Sequence, residues 1–182
     1  MEFSKYGSRD YNIRESLRVW REERHIEVVD QYAGFLGNVT EEMTELLRAQ
    51  TEEEKVDALC DIMVFSLNVI GNNFPVTHVC YKLGKLSLTY STYDDHISLL
   101  YRILGFQDGV VEKASGLLHA CRDLLTYLGY DYRACLEETI KEISSRTGRW
   151  DASISKFVKD TSEEAKAKWY KANYSNCKKG CI

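Results

Sequence analysis

Apolar residues recur along most of the chain at three- and four-residue intervals, the period of a helix with one buried face. Strand-like alternation is scarce, and Pro75 is the single proline in 182 residues. The spacing predicts helices over 13–35, 38–49, 52–72, 77–90, 94–104, 110–128, 132–147 and 161–173. The first two read as one helix broken near Gly34 and Gly37. Thr51-Glu52-Glu53-Glu54 has the form of a capping box, with Thr51 as N-cap and Glu54 three positions on. A helix therefore starts at Glu52 after a tight turn near Gln50, and residues 38–72 fold into an antiparallel helical hairpin. The expected fold class is all-α, a helical bundle built around this hairpin, in a single domain over 1–182.

The two arms of the hairpin are unlike. On the first, Val39, Met43, Leu46 and Leu47 form a one-sided apolar stripe. On the second, the run Ile62–Ile70 (IMVFSLNVI) is apolar nearly all round, the signature of an enclosed helix. Asp57, Asp61, Phe65, Asn68 and Asn72 follow one line along it at helical steps, so Asp61 and the asparagines are expected to point into the protein.

Charge matters most on these arms. Glu41, Glu42 and Glu45 fall within an arc of about 100° on the first, and Glu54, Asp57 and Asp61 within about 60° on the second. Acidic stripes are ordinarily solvated faces, and the first arm alone fits that description. Partly buried acids at these spacings, however, repel one another and lose hydration, which a cation would offset. Ligands that are all oxygen select hard metals, Mg²⁺ first, with manganese or calcium able to substitute. Counting from the turn at about 1.5 Å per residue, Glu45 and Asp57 stand level, as do Glu42 and Asp61. Geometry thus selects Glu42, Glu45, Asp57 and Asp61, while Glu54 is already explained by its cap.

Composition narrows the class further. Hydrophobic residues are 44% and charged residues 29%, ordinary for a globular protein. No apolar run nears the ~20 residues of a membrane span, and the opening MEFSKYGSRD lacks the pattern of a signal peptide, so a cytoplasmic protein with no membrane partner is expected. A net charge of −4 gives no reason to expect a nucleic-acid polymer as partner. The six cysteines show no CxxC spacing and read as reduced core thiols. The segment 156–182 is basic, with seven lysines against three acids between Lys156 and Lys179 and with Trp169, Tyr170 and Tyr174 interleaved. It is either a cover over an anionic ligand or a tail docked through its aromatics.

Glu41-Glu42-Met43-Thr44-Glu45 followed by Glu54-Lys55-Val56-Asp57 on the next helix resembles the EExxE and ExxD signature of the all-α NTP pyrophosphatases. That superfamily includes MazG-like proteins, dimeric dUTPases and phosphoribosyl-ATP pyrophosphohydrolases. The likeness is best over 35–72 and looser over 130–174, where ETIKEISSRTGRW and KWYKANY look like the downstream lysine-bearing segments of phage-encoded MazG-like proteins. The resemblance implies Mg²⁺ on Glu42, Glu45, Glu54 and Asp57, exchanging Glu54 for the Asp61 of the geometric choice; both are kept. It also implies hydrolysis of a nucleoside triphosphate or related nucleotide between the α and β phosphates, giving monophosphate and pyrophosphate. Oligomeric state stays open, since relatives build their sites across dimers or tetramers.

In this reading Glu41 or Glu45 takes the proton of the attacking water. Lys141, Arg146, Arg149, Lys156 and Lys171 are candidates for the phosphates, Asn68 and Asn72 for the base, and Tyr32, Phe35 and Phe65 for stacking. The alternative is a non-catalytic nucleotide-binding or protein-interaction module of the same fold. A di-iron bundle is weakly indicated, because Glu22-Glu23-Arg24-His25 is the one ExxH where two are needed. Residues 77–128 read either as a degenerate second hairpin, with Ala120–Leu125 laid on Ala58–Met63 and His119 in place of Asp57, or as a chance match between two amphipathic helices.

Overall fold

The structure, a computed structural model, describes residues 5–71, 91–151, 153 and 156–179. Among these are seven α-helices and one two-stranded antiparallel sheet. In chain order they are α1 (Lys5–Glu23), α2 (Val28–Arg48), α3 (Glu52–Ile70), α4 (Tyr93–Gly105), α5 (Val110–Tyr127), α6 (Tyr132–Ser145), β1 (Gly148–Asp151), β2 (Lys156–Lys159) and α7 (Glu163–Lys166), with a 3₁₀ turn at Tyr174–Cys177. The all-α class is thus as the spacing predicts. The helix expected over 77–90, and Asn72, lie outside the described residues. No described helix is long and apolar enough to cross a membrane.

α3 is the axis of the bundle, touching α1, α2, α5, α6 and the 3₁₀ turn. Its apolar circumference explains this. Val56, Leu59, Cys60, Ile62, Met63, Val64, Leu67, Val69 and Ile70 are all buried, on every side of the helix. Burying each large side chain contributes about 1.5–3 kcal/mol, so the chain is driven to enclose α3 completely. Ser66 is tolerated there because its hydroxyl donates to the Ile62 carbonyl at 2.8 Å. α2 contributes the stripe Phe35, Val39, Met43 and Leu46. From the far side α5 contributes Ala114, Leu117, Cys121, Leu124 and Leu125, and Gly116 lets Ile103 of α4 approach.

The first break in the chain differs from expectation. α2 runs unbroken through Gly34 and Gly37, and the chain turns instead at Arg24–Glu27. A helical glycine costs only about 1 kcal/mol, which the continuous buried stripe of α2 outweighs. At the true break His25 adopts φ +54, and the Ile26 amide donates back to the Arg21 carbonyl at 3.0 Å. Asp30 then accepts from the Glu27 amide at 3.1 Å and starts α2.

The C-terminal part differs more. Of the helix expected over 161–173 only Glu163–Lys166 forms. The following amides spend their hydrogen bonds on α6 instead: Tyr170 N donates to Ser145 at 2.8 Å, Ala172 N to Glu142 at 2.7 Å and Asn173 N to Glu138 at 3.2 Å. Such bonds replace the intrahelical ones and hold the tail extended. The spacing does not predict the strands β1 and β2, because Ser153–Lys159 (SISKFVK) lacks the strict polar–apolar alternation of a strand.

Arg24 ties this C-terminal part to α1. Its guanidinium donates to the carbonyls of Ser144 at 3.2 Å and Arg146 at 3.0 Å, satisfying the open end of α6. It also stacks 5.0 Å from the Trp20 ring centre and 5.4 Å from that of Phe157. Trp20 adds a bond from its indole to the Ile143 carbonyl at 3.2 Å. Replacing Arg24 by Ala is expected to destabilise the fold by about 1–3 kcal/mol, and Arg24→Lys to recover less than half, since an ammonium cannot serve several carbonyls and two rings. Urea unfolding of the three proteins measures this.

Candidate functional site

Where α2 and α3 run side by side, their acids meet at the wall of a cleft of about 410 Å³. The two helices bring Glu41, Glu42 and Asp61 to that wall, and α6 and β2 bring Arg146 and Lys159. Farther along, the lining turns apolar and aromatic, with Trp20, Ile26, Val64, Phe65, Ile143 and Phe157. Gln31, Asn38 and Asn68 are the amides in it, and Asp30 is a further acid. One cleft therefore has acids, cations and a ring-sized apolar part.

The acids feel one another strongly. Burial, then the charges of Asp61, Glu45, Asp57 and Glu41 in that order, push the Glu42 carboxyl up to about 8. Asp61 is pushed up to about 7, first by burial and then by Asp57, while Arg146 and Lys159 pull it back and Glu142 adds to the rise. Glu42, Glu45, Asp57 and Asp61, the set that helical register selects, thus share one field. Glu54 stands apart: its carboxylate accepts from the amides of Gln50 at 2.6 Å and Thr51 at 3.1 Å, which hold its pKa low.

Asp57 faces the C-terminal tail. The Tyr174 hydroxyl donates to its Oδ1 at 2.6 Å and contacts Thr139 at 3.1 Å, and Lys171 lies 3.9 Å from its Oδ2. Burial is the main cause that pushes the Tyr174 phenol far up, so it stays a donor at any ordinary pH. The tail thus docks through Tyr174, one of the two alternatives that its composition left open.

The other predicted side chains divide. Arg146 is at the cleft and is bonded to the buried Glu142. Lys141 is exposed, paired with Glu138, and borders a separate depression beside Glu15 and Trp20. Arg149 is exposed on β1 and is not among the residues that line the cleft. The side chain of Lys156 lies outside what the structure describes. Of the rings, Phe65 lines the cleft, Phe35 is sealed in the core at 1% exposure, and Tyr32 is exposed outside the lining. Trp20, Phe157 and Lys159 were missed. No periodicity in Ser153–Lys159 marks the last two, since their strand is four residues long. His25, half of the ExxH, is exposed in the α1–α2 turn.

Among the described residues no three acid, histidine or cysteine side chains already converge as a metal cage. The acids instead form a row of oxygen donors with few compensating charges, a set that suits a hard divalent cation. Glu42, Glu45, Asp57 and Asp61 are the side chains that could hold it.

The raised values give a signed prediction. Carboxyls with pKa values of about 8 and about 7 in the fold, against 4.5 and 3.8 ordinarily, keep protons that the unfolded chain has lost. Their stabilising contribution is complete below the ordinary values and is lost as pH rises through about 7–8. In EDTA the Tm is expected to fall between pH 5 and pH 8.5, Glu42→Gln to flatten that fall, and Mg²⁺ to raise Tm at the upper pH and not at the lower. Thermal unfolding across pH, with and without Mg²⁺, checks all three.

No protein-family profile, curated protein or solved structure matches this chain. The family likeness therefore rests on the EExxE and ExxD residues and, more loosely, on the segments within 130–174.

Proposed function

We propose that this protein is a Mg²⁺-dependent hydrolase that cleaves a nucleoside triphosphate or related nucleotide between its α and β phosphates, releasing monophosphate and pyrophosphate. The observation that carries the reading is the pairing of two destabilised carboxylates, Glu42 and Asp61, with an aromatic pocket and two cations in one cleft. Acids that repel each other in a half-buried wall are costly to keep, and a site that collects divalent cations gives them a use. The resemblance to the all-α NTP pyrophosphatases points the same way.

Glu42, Glu45, Asp57 and Asp61 would hold Mg²⁺, with Mn²⁺ as a substitute. When bound, the metal offsets the charge of the phosphates and lowers the pKa of coordinated water. Arg146 and Lys159 face the same space and suit the phosphate oxygens. The attacking water's oxygen bonds to the α phosphorus, the bond from that phosphorus to the bridging oxygen breaks, and pyrophosphate leaves with the electron pair. Glu41, exposed on the cleft wall, takes the water's proton, with Glu45 as the other candidate. The base lies against Phe65, Trp20 and Phe157, a surface that suits a flat ring.

Asp61→Asn tests this with two readouts. Pyrophosphate release from a panel of nucleotides with Mg²⁺ is expected to fall at least 100-fold, while Tm at pH 8 without metal rises, because the substitution removes a repelled charge. Glu42→Gln is expected to behave alike. Turnover that survives both substitutions, or no pyrophosphate from any nucleotide with the wild type, refutes the reading and leaves the fold as a binding or interaction module.

A further inference from the structure

Asn68 sits on α3 two turns beyond Asp61, in the apolar part of the cleft, and is 1% exposed. Its neighbour on α1 is Arg21, itself 8% exposed, whose Nη1 donates to Asn68 Oδ1 at 2.6 Å. An amide can ordinarily be turned either way, offering oxygen or nitrogen to a ligand. Here it cannot. A guanidinium has five donors and no acceptor, so the atom facing Arg21 must be the oxygen.

The consequence falls on the other end of the amide. Asn68 Nδ2 has no hydrogen-bond partner among the described residues, and the side chain lines the cleft. Among the described residues no acid stands within ion-pair distance of Arg21; Glu22 acts on it only from farther off, and the hydrogen bond to Asn68 is the direct contact of the guanidinium. A charged donor on the oxygen polarises the amide and makes its NH₂ a better donor. At about 1.5 Å per residue, Asn68 lies about 10 Å along α3 from Asp61, so a ligand with phosphates at the acids brings its far end here.

Resting on the reading of this cleft as a nucleotide site, we infer that it selects nucleobases presenting a keto oxygen to Asn68 over those presenting an exocyclic amine. Uracil, thymine and hypoxanthine offer an acceptor at the position where cytosine and adenine offer a donor. An amine against the Asn68 NH₂ leaves two donors facing each other, and Asp30, Gln31 and Asn38 are the other polar groups, besides the acids and cations at the phosphate end, that line the cleft. Mismatches of this kind are heavily discriminated, because a buried polar group then goes unpaired.

The test compares uridine with cytidine triphosphate and inosine with adenosine triphosphate, each in ribo and deoxyribo form, by kcat/KM and by the Kd of the Mg²⁺ complex. The keto member of each pair is expected to be favoured by about tenfold or more. Asn68→Asp, in which Arg21 holds one carboxylate oxygen and the other faces the cleft as an acceptor, is expected to reverse the preference. Arg21→Met frees the amide to turn and is expected to bring the ratio within about threefold of unity. Turnover or binding with no keto preference in the wild type overturns this inference alone and leaves the hydrolase reading standing. A wild-type preference that Asn68→Asp does not change, with that variant folded by circular dichroism, assigns the selection elsewhere and also overturns it. Nucleotide binding without turnover removes the hydrolase reading and leaves selection to be judged on Kd, while the absence of any nucleotide binding ends both.

Discussion

Enclosure of α3 is the constraint from which the rest follows. A helix that is apolar on every side must be surrounded, and five other elements are drawn against it. Asp61 is carried on the same helix, so the packing that buries its leucines also withdraws water from that carboxylate. The site's electrostatic tension is thus a by-product of the core's most favourable contacts. A solvated helix would hold Asp61 at an ordinary pKa and have little demand for a counter-ion.

Compensation is only partial, and its placement is informative. Arg146 and Lys159 lower the Asp61 value without returning it to the ordinary range, and Arg146 is shared with the buried Glu142. A complete internal salt bridge would have neutralised the row and left no room for a ligand. The cations instead share the cleft with the acids, an arrangement suited to a guest that carries both positive and negative charge, as a metal–phosphate pair does.

The hairpin and its acids were legible in the sequence because they depend on local rules. The Thr51–Glu54 box fixes where α3 starts, a short turn fixes the register, and the helical period does the rest; together these pair Glu42 with Asp61 before any coordinates exist. What escaped was set by distant contacts. α2 ignores Gly34 and Gly37 because a buried stripe outweighs two glycines, and the tail abandons its helix because Glu138, Glu142 and Ser145 offer its amides other partners. Phe157 and Lys159 reach the cleft on strands of four residues, too short for periodicity to declare. Lys141 and Arg149 were drawn toward the site by a resemblance in sequence order, which carries no information about which side of α6 or β1 a residue occupies.

The manner in which the tail docks has an evolutionary corollary. From Tyr170 to Asn173 the contacts with α6 are made mainly by backbone amides, which every residue but proline supplies. These amides tie down the length of the stretch whatever its side chains, while the Tyr170 hydroxyl on Glu138 and Lys171 beside Asp57 add side-chain contacts of their own. One inserted residue would carry the Tyr174 hydroxyl away from Asp57, so descendants of this chain should keep the count of residues here.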